Sequence, residues 1–218
     1  VTGYQWNWKF GYAEVDGDLT EDGQDYDGLD AERQALAEET KFDAEDAHNA
    51  NPIHGTSMGD LSYLNFNKIE TLGSTEEVPV LVLPTDTPIE FRLASGDVNH
   101  AFWVPEFLFK RDVYAHPESN QQQRKFQIER IEEEGAFVGR CAEMCGTYHA
   151  MMNFEVRAVS PEKFERYIQF RRDNPGAPNS EALRSIGEEP YATSTHPFVS
   201  DRTATRDGEN TVDPNANV

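Results

Sequence analysis

Basic charge, sulfur and long hydrophobic runs are all scarce in this chain. Its 19 lysine and arginine residues face 40 acidic residues, and the net charge of −21 argues against nucleic acids or anionic membrane surfaces as partners. No stretch reaches the roughly 18 apolar residues that a membrane-spanning helix needs, and no signal peptide is visible. We therefore expect the 218 residues to form a soluble domain with polar extensions.

The little sulfur that the chain has is concentrated between residues 139 and 152. This stretch, GRCAEMCGTYHAMM, holds both cysteines, one of the six histidines and three of the four methionines. A disulfide between Cys141 and Cys145 would close a tiny loop and add little stability. The spacing is also not that of a C-x-x-C redox pair, and structural zinc usually takes four strong ligands.

Copper is the metal that this stretch favours. Thiolate and imidazole groups with a weak thioether, here Met152 three residues after His149, are typical of copper electron-transfer sites. A mononuclear blue-copper site uses one cysteine. Two cysteines four residues apart therefore indicate two copper ions, with each sulfur bridging both. Zinc, a disulfide and an inert buried pair remain as alternatives.

Short strands dominate the remaining pattern. Residues 4–12 alternate aromatic with other residues, which predicts one strand with Trp6, Trp8 and Phe10 on the same buried face. Further strands are predicted near residues 63–70, 78–83, 88–94, 98–104, 124–131, 135–140 and 152–159. Strands of this length, separated by turn residues without helices, predict an all-β sandwich or Greek-key barrel.

A strongly acidic segment interrupts this β pattern. Between Glu14 and Asp46 there are 14 acidic and two basic residues, so this segment holds more than half of the net charge. Its first half resembles a loop and its second half is rich in helix-forming residues. We expect an acidic, partly helical insertion at about 14–60.

The chain is predicted to end in a helix and a polar tail. Ser160 as N-cap and Pro161 at the first helical position predict a helix that runs to about Asp173. The composition then shifts to polar residues and proline. We expect one domain over residues 1–173 and a tail over 174–218 without a core of its own.

The spacing C-x-E-x-C-x-x-x-H-x-x-M resembles the binuclear copper A motif of cytochrome c oxidase subunit II. The motif is complete here, in Cys141, Glu143, Cys145, His149 and Met152. The remaining histidine ligand of the family is matched by His100 in DVNHAFWVPEF, its QW-x-W stretch by residues 5–8 and its Lys-x-Asp by residues 110–112. The resemblance covers roughly residues 1–13 and 61–173 and implies a cupredoxin-like Greek-key β-barrel or sandwich.

The resemblance implies a role for each matched residue. The copper ligands would be two bridging thiolates, one imidazole on each ion and two weak donors, namely Cys141, Cys145, His100, His149, the Met152 sulfur and the Glu143 carbonyl oxygen. Trp6 would be the point of electron entry. A magnesium ion is expected only at an interface with subunit I, near the Glu143 carboxylate and with Asp112 in the same polar region.

Some neighbouring residues could be mistaken for ligands. His116 lies in a polar loop, whereas His100 lies in an apolar strand, and we therefore expect His100 to be the ligand. Met144 and Met151 do not occupy the motif position, and we expect them to be packing residues.

By this resemblance the chain is the electron-accepting domain of a haem-copper terminal oxidase in a respiratory chain. It would accept electrons from a c-type cytochrome, including one held within a cytochrome bc complex, and pass them to haem a of subunit I. The family location is the outer face of the cell membrane. The family's two membrane helices are absent here, so we expect a truncated soluble fragment.

Two alternatives and one further expectation accompany this interpretation. A nitrous oxide reductase also has a copper A domain, but tryptophan is typical there at the position of Glu143. A mononuclear copper-binding cupredoxin is the other alternative. We expect the acidic insertion to be a docking element for a cytochrome with a basic face, because opposite charges steer such encounters.

Overall fold

The structure, a computed structural model, describes residues 1–12, 69–74, 76–115 and 125–196. The predicted acidic insertion and its docking role fall outside these residues, as do His116, most of the strand predicted at 63–70 and everything after residue 196. Within the described ranges, no helix is both long and apolar enough to cross a membrane.

The eleven strands of the described residues form two sheets and a separate strand pair. The first sheet has the order β3-β2-β1-β6, with β1 (Thr2–Tyr4), β2 (Asn7–Tyr12), β3 (Ile69–Leu72) and β6 (Ala94–Ser95). The second has the order β4-β11-β10-β7-β8, with β4 (Val80–Pro84), β7 (His100–Val104), β8 (Phe109–Val113), β10 (Gly135–Cys141) and β11 (Asn153–Val159). The pair consists of β5 (Ile89–Arg92) and β9 (Lys125–Ile128).

Both sheets contribute to one aromatic core. Trp8 and Phe154 meet edge to face with ring centroids 5.3 Å apart, and Phe102 stacks on Phe154 at 4.8 Å. Gly139 makes room for this packing, since a Cβ at that position would lie 2.0 Å from the Phe154 ring. The predicted all-β, cupredoxin-like class is confirmed, although β8 was not predicted.

The strand predicted over residues 4–12 is interrupted by a turn. Tyr4 pairs with Asn7, so Gln5 and Trp6 form the two-residue tip of a hairpin between β1 and β2. Trp8 is fully buried, whereas Trp6 is only half-buried and packs at the edge of the core. The prediction of one continuous strand is therefore wrong, because the turn removes Trp6 from the alternation.

Two helices follow the last strand. Helix α1 (Pro161–Asp173) begins as predicted, with the Ser160 hydroxyl accepting a hydrogen bond from the Lys163 backbone N–H at 3.3 Å. Helix α2 (Asn179–Ser185) was not predicted. Its residues Ala182 and Leu183 are fully buried in a second apolar cluster with β4 and α1. The described part of the segment after residue 173 therefore packs on the domain.

A buried ionic group fastens this segment to β11. The Glu155 carboxylate is fully buried and accepts hydrogen bonds from the Arg157 guanidinium, the Thr193 and Ser194 backbone N–H groups and the Ser194 hydroxyl. Arg157 also donates to the Glu188 carboxylate at 3.3 Å. We call these five residues the Glu155 cluster. Both oxygens of its central carboxylate have partners, so the group is complete without any ligand.

Candidate metal centre

The candidate ligands converge from three places in the second sheet. Cys141 ends β10. The loop from β10 to β11, which we call the ligand loop, carries Cys145, His149 and, directly before β11, Met152. His100 begins β7. Because β10 pairs with both β7 and β11, the end of β10 brings the loop next to the start of β7. The sheet register therefore gathers residues that are far apart in the chain.

Each thiol faces the other thiol and one imidazole. The two sulfur atoms, Cys141 Sγ and Cys145 Sγ, are 3.8 Å apart. His100 Nδ1 lies 3.9 Å from Cys141 Sγ, and His149 Nδ1 lies 3.5 Å from Cys145 Sγ. The group thus has two sulfur atoms at its centre with one histidine beside each.

Two weaker donors complete the same arrangement. The Glu143 carbonyl oxygen lies 3.2 Å from Cys141 Sγ, and the Met152 thioether sulfur lies 3.8 Å from Cys145 Sγ. Each sulfur therefore has one imidazole and one weak donor nearby. All six sequence-predicted ligand groups are close together, and four of them, His100, Cys141, Cys145 and Met152, are buried.

Three of these donors form a compact group on their own. The ligand atoms of His100, Cys141 and Cys145 all lie within 4.8 Å of one another. His100 has no exposed surface, and Cys145 is only 3% exposed. A buried set of two sulfur atoms and an imidazole suits a soft transition metal, and its burial keeps water from the sulfur atoms.

The contact between the two cysteine side chains shifts their pKa values in opposite directions. The hydrogen bond with Cys145 is the main cause that lowers the pKa of Cys141 to about 3, and the same contact raises the pKa of Cys145. One thiol thus ionises at the expense of the other. Burial lowers the pKa of His100, but its contacts with Asp97 and Cys141 outweigh burial and the net shift is upward. Without a metal, the group therefore holds one thiolate beside an imidazole of raised pKa, and a metal ion would have to displace the protons that remain on the ligands.

Asp97 and Gly3 set the orientation of the His100 ring. Its Nε2 is 2.9 Å from the Asp97 carboxylate, so Nδ1 faces Cys141. Asp97 also accepts hydrogen bonds from the backbone N–H groups of Val98 and Gln5, both at 2.7 Å. Gly3 lies against the imidazole, because a Cβ there would be 2.9 Å from His100 Cδ2. The aspartate and the glycine thus hold the ring in place.

The predicted entry residue, Trp6, touches the ligand loop. Its indole Nε1 donates a hydrogen bond to the Cys145 carbonyl oxygen at 2.9 Å, and its ring meets Tyr148 edge to face at 5.0 Å. Gln5 donates to the same carbonyl oxygen at 2.7 Å. Sequence reasoning missed Gln5 and Asp97, although both belong to the quoted motifs QWNW and DVNH.

The other sequence-predicted residues lie at the rim. Glu143, whose carboxylate was expected near a magnesium ion, is half-buried. The Asp112 carboxylate lies 3.6 Å from the Lys110 ammonium, and both residues belong to β8. Met144 and Met151 are 74% and 40% exposed, so the expectation that they are packing residues is wrong. Both side chains lie on the exposed side of the loop that carries the ligands.

A protein-family model matches the middle of the chain. Residues 55–159 match the model described as cytochrome C oxidase subunit II, periplasmic domain. A cytochrome c oxidase subunit 2 of Corynebacterium diphtheriae is 72% identical over 210 residues, which are 96% of this chain and 58% of the relative. The corresponding subunit of Corynebacterium glutamicum is 70% identical over 211 residues, with 97% of this chain and 58% of the relative covered.

More distant proteins were also found. A cytochrome c oxidase subunit 2 of Mycobacterium tuberculosis is 54% identical over 204 residues, covering 91% of this chain and 54% of the relative. Among solved structures, the periplasmic domain of subunit II of cytochrome oxidase from Bradyrhizobium japonicum is 19% identical. It gives a TM-score of 0.45 over 79% of this chain and 91% of that one. The present chain thus spans little more than half the length of the curated relatives named here.

Proposed function

This chain belongs to the cytochrome c oxidase subunit II family, and from that premise we propose that it is a binuclear copper electron-transfer domain of a haem-copper terminal oxidase. It accepts electrons one at a time from a c-type cytochrome and passes them to haem a of subunit I. The observation that carries the proposal is the pairing within the ligand group. Two neighbouring sulfur atoms each have one imidazole and one weak donor beside them.

The chemistry of the donors supports copper. Thiolate, imidazole and thioether are soft or intermediate ligands, and Ca²⁺ or Mg²⁺ would instead take oxygen donors. Two of the groups, Cys141 and Cys145, are free thiols whose sulfur atoms are 3.8 Å apart. Two lone-pair donors this close and this buried repel each other as thiolates unless a cation lies between them.

The arrangement supports two ions rather than one. A single tetrahedral ion would require four strong donors within roughly 4 Å of one another. His149 Nδ1 approaches Cys145 Sγ at 3.5 Å but is not part of the compact group formed by His100, Cys141 and Cys145. Two ions that share both thiolates would accommodate both histidines.

A pair of copper ions, when bound, supplies reversible one-electron redox chemistry. The contribution of the chain is to hold the ligands in one geometry and to exclude water. His100 is fixed through Asp97, and the Trp8 indole donates to the Met152 carbonyl oxygen at 3.2 Å. Ligands held this firmly move little when the charge changes, which favours fast electron transfer.

Trp6 is the proposed point of electron entry. It is half-buried and joins the ligand loop through its hydrogen bond to the Cys145 carbonyl oxygen. Its contact with the 45% exposed Tyr148 extends the aromatic path to the surface. A donor that docks over Trp6 and Tyr148 would therefore be separated from Cys145, a proposed copper ligand, only by the Trp6 side chain.

The wider assembly is part of the proposal. The donor would be a c-type cytochrome with a basic face, matching the net charge of −21. Subunit I would receive the electron, and a magnesium ion would bind only at that interface, with the Glu143 carboxylate. The domain would lie on the outer face of the cell membrane as part of a longer subunit.

Copper titration of the purified chain tests the proposed site. We expect two copper ions per chain, a purple colour and a hyperfine pattern of one electron shared by both ions. His100→Ala should lose or remodel this spectrum, and His116→Ala is the matched control that should leave it unchanged. One copper per chain, or the same spectrum in His100→Ala, would contradict the proposal.

A further inference from the structure

The tip of the β1–β2 hairpin contacts both parts of the ligand group. Through its backbone N–H, Gln5 donates to Asp97 at 2.7 Å, and Asp97 orients His100. Through its side-chain amide, Gln5 donates to the Cys145 carbonyl oxygen at 2.7 Å. One residue therefore connects the β7 ligand with the ligand loop, which the chain itself separates by more than forty positions.

The Cys145 carbonyl oxygen receives two side-chain donors. Gln5 Nε2 and Trp6 Nε1 lie 2.7 and 2.9 Å from it, so both lone pairs of the oxygen can be engaged. The next residue, Gly146, permits this approach. Its φ is +115°, and a Cβ there would lie 3.0 Å from the Trp6 ring and 3.2 Å from Gln5 Nε2.

Gln5 makes these contacts at a cost to stability. Within the described residues, its Oε1 atom is buried and has no hydrogen-bond partner. A buried acceptor without a partner destabilises the folded state. An apolar side chain of the same length would avoid this cost but would leave the Cys145 carbonyl with one donor fewer. The amide is therefore better explained by its contact with the loop than by packing.

We propose that Gln5 is a positioning residue that fixes the backbone of Cys145, and through it the Cys145 sulfur, before any metal binds. With Trp6 it forms a clamp on the ligand loop. The clamp holds the loop against the β7 side of the site through Asp97. The proposal rests on the proposed function in treating Cys145 as a metal ligand.

Alkylation of the copper-free chain tests the clamp directly. Iodoacetamide reacts with exposed thiolates, and mass spectrometry of the fragment that holds both cysteines reports Cys141 and Cys145 separately. In Gln5→Met the side chain keeps its length but loses the donor. We expect Cys145 to react roughly five- to tenfold faster than in the native chain, the factor that one lost hydrogen bond allows.

The matched control lies in the same hairpin. Asn7 donates to the Ser74 carbonyl oxygen at 2.8 Å, away from the ligand loop. Asn7→Ala should therefore lower stability without changing the reaction rate of Cys145. If Gln5→Met does not fold, the smaller Gln5→Ala also removes the amide donor and serves as the second variant.

A second measurement separates positioning from general stability. After loading with copper(II), Gln5→Met should show an altered hyperfine pattern and a shifted reduction potential, and Asn7→Ala should show neither. Equal Cys145 reactivity in Gln5→Met and Asn7→Ala would overturn the clamp. Failure of the native chain to bind copper would instead overturn the proposed function and leave the alkylation comparison intact.

Discussion

The ligand group, formed by the six predicted copper ligands, and the Glu155 cluster are both largely buried and polar. They differ in whether the chain itself supplies a partner for each charged atom. In the Glu155 cluster, a fully buried carboxylate meets a guanidinium and backbone donors, so every charge has its partner within the chain. In the ligand group, Cys141 and Cys145 place sulfur beside sulfur. These two sulfur atoms can both be thiolates only if a cation from outside offsets their repulsion. The first group holds the fold together, and the second is arranged to hold a metal.

The largest effect is expected at the shared sulfur atoms. Cys145→Ser removes a thiolate that both ions would share, so we expect complete loss of the two-copper spectrum. Electron paramagnetic resonance and metal analysis measure this loss. Thermal unfolding of the copper-free chain should change little, because the hydroxyl is smaller but still polar. An unchanged two-copper spectrum would remove the bridging assignment of Cys145.

The second prediction concerns the Glu155 cluster. Arg157→Met leaves the Glu155 carboxylate buried without its cation, so we expect a loss of about 3–5 kcal/mol in the free energy of unfolding. Denaturant titration measures it. The exposed Arg172 is the control, and Arg172→Met should stay within about 0.5 kcal/mol. Copper loading of Arg157→Met should give the native spectrum, and a changed spectrum would mean that the two groups are coupled.

The third prediction compares two glycines. Gly3→Ala places a methyl group 2.9 Å from the His100 ring, so overpacking should cost about 1–3 kcal/mol and displace the imidazole. Gly176 has nothing within 4 Å of the equivalent position, and Gly176→Ala should be nearly neutral. Unfolding free energies and the copper spectrum test both. Equal effects of the two substitutions would show that Gly3 does not constrain His100.

The smallest effect is expected at the weak donor. Met152 is 1% exposed, and Met152→Leu conserves its volume, so the loss of stability should be below about 1.5 kcal/mol. Two copper ions should remain, with a shifted reduction potential because the thioether is gone. Met144→Leu, at a residue that is 74% exposed, is the control and should change neither quantity. A potential identical to native in Met152→Leu would exclude Met152 as a ligand.

Local patterns in the sequence predicted much of the secondary structure. Alternation and turn residues predicted at least part of every described strand except β8, and the capping pair Ser160 and Pro161 predicted the start of α1. The same local logic failed at residues 4–12, where alternation continues across a turn. Helix α2 was also missed, because its few apolar residues are buried only by β4 and α1.

The sequence by itself determined which residues could be metal ligands, because five of the six lie within twelve positions and their spacing is set by one loop. Only the tertiary structure decided how they meet. The pairing of β10 with β7 brings His100 to the loop, and the hairpin tip places Gln5 and Trp6 on the Cys145 carbonyl. It likewise decided that Glu155 and Arg157 are buried, since the residues that cover them follow some thirty positions later. The physical reason is the same in each case: spacing along a chain reports local periodicity, whereas burial and hydrogen bonding depend on which distant segment packs on top.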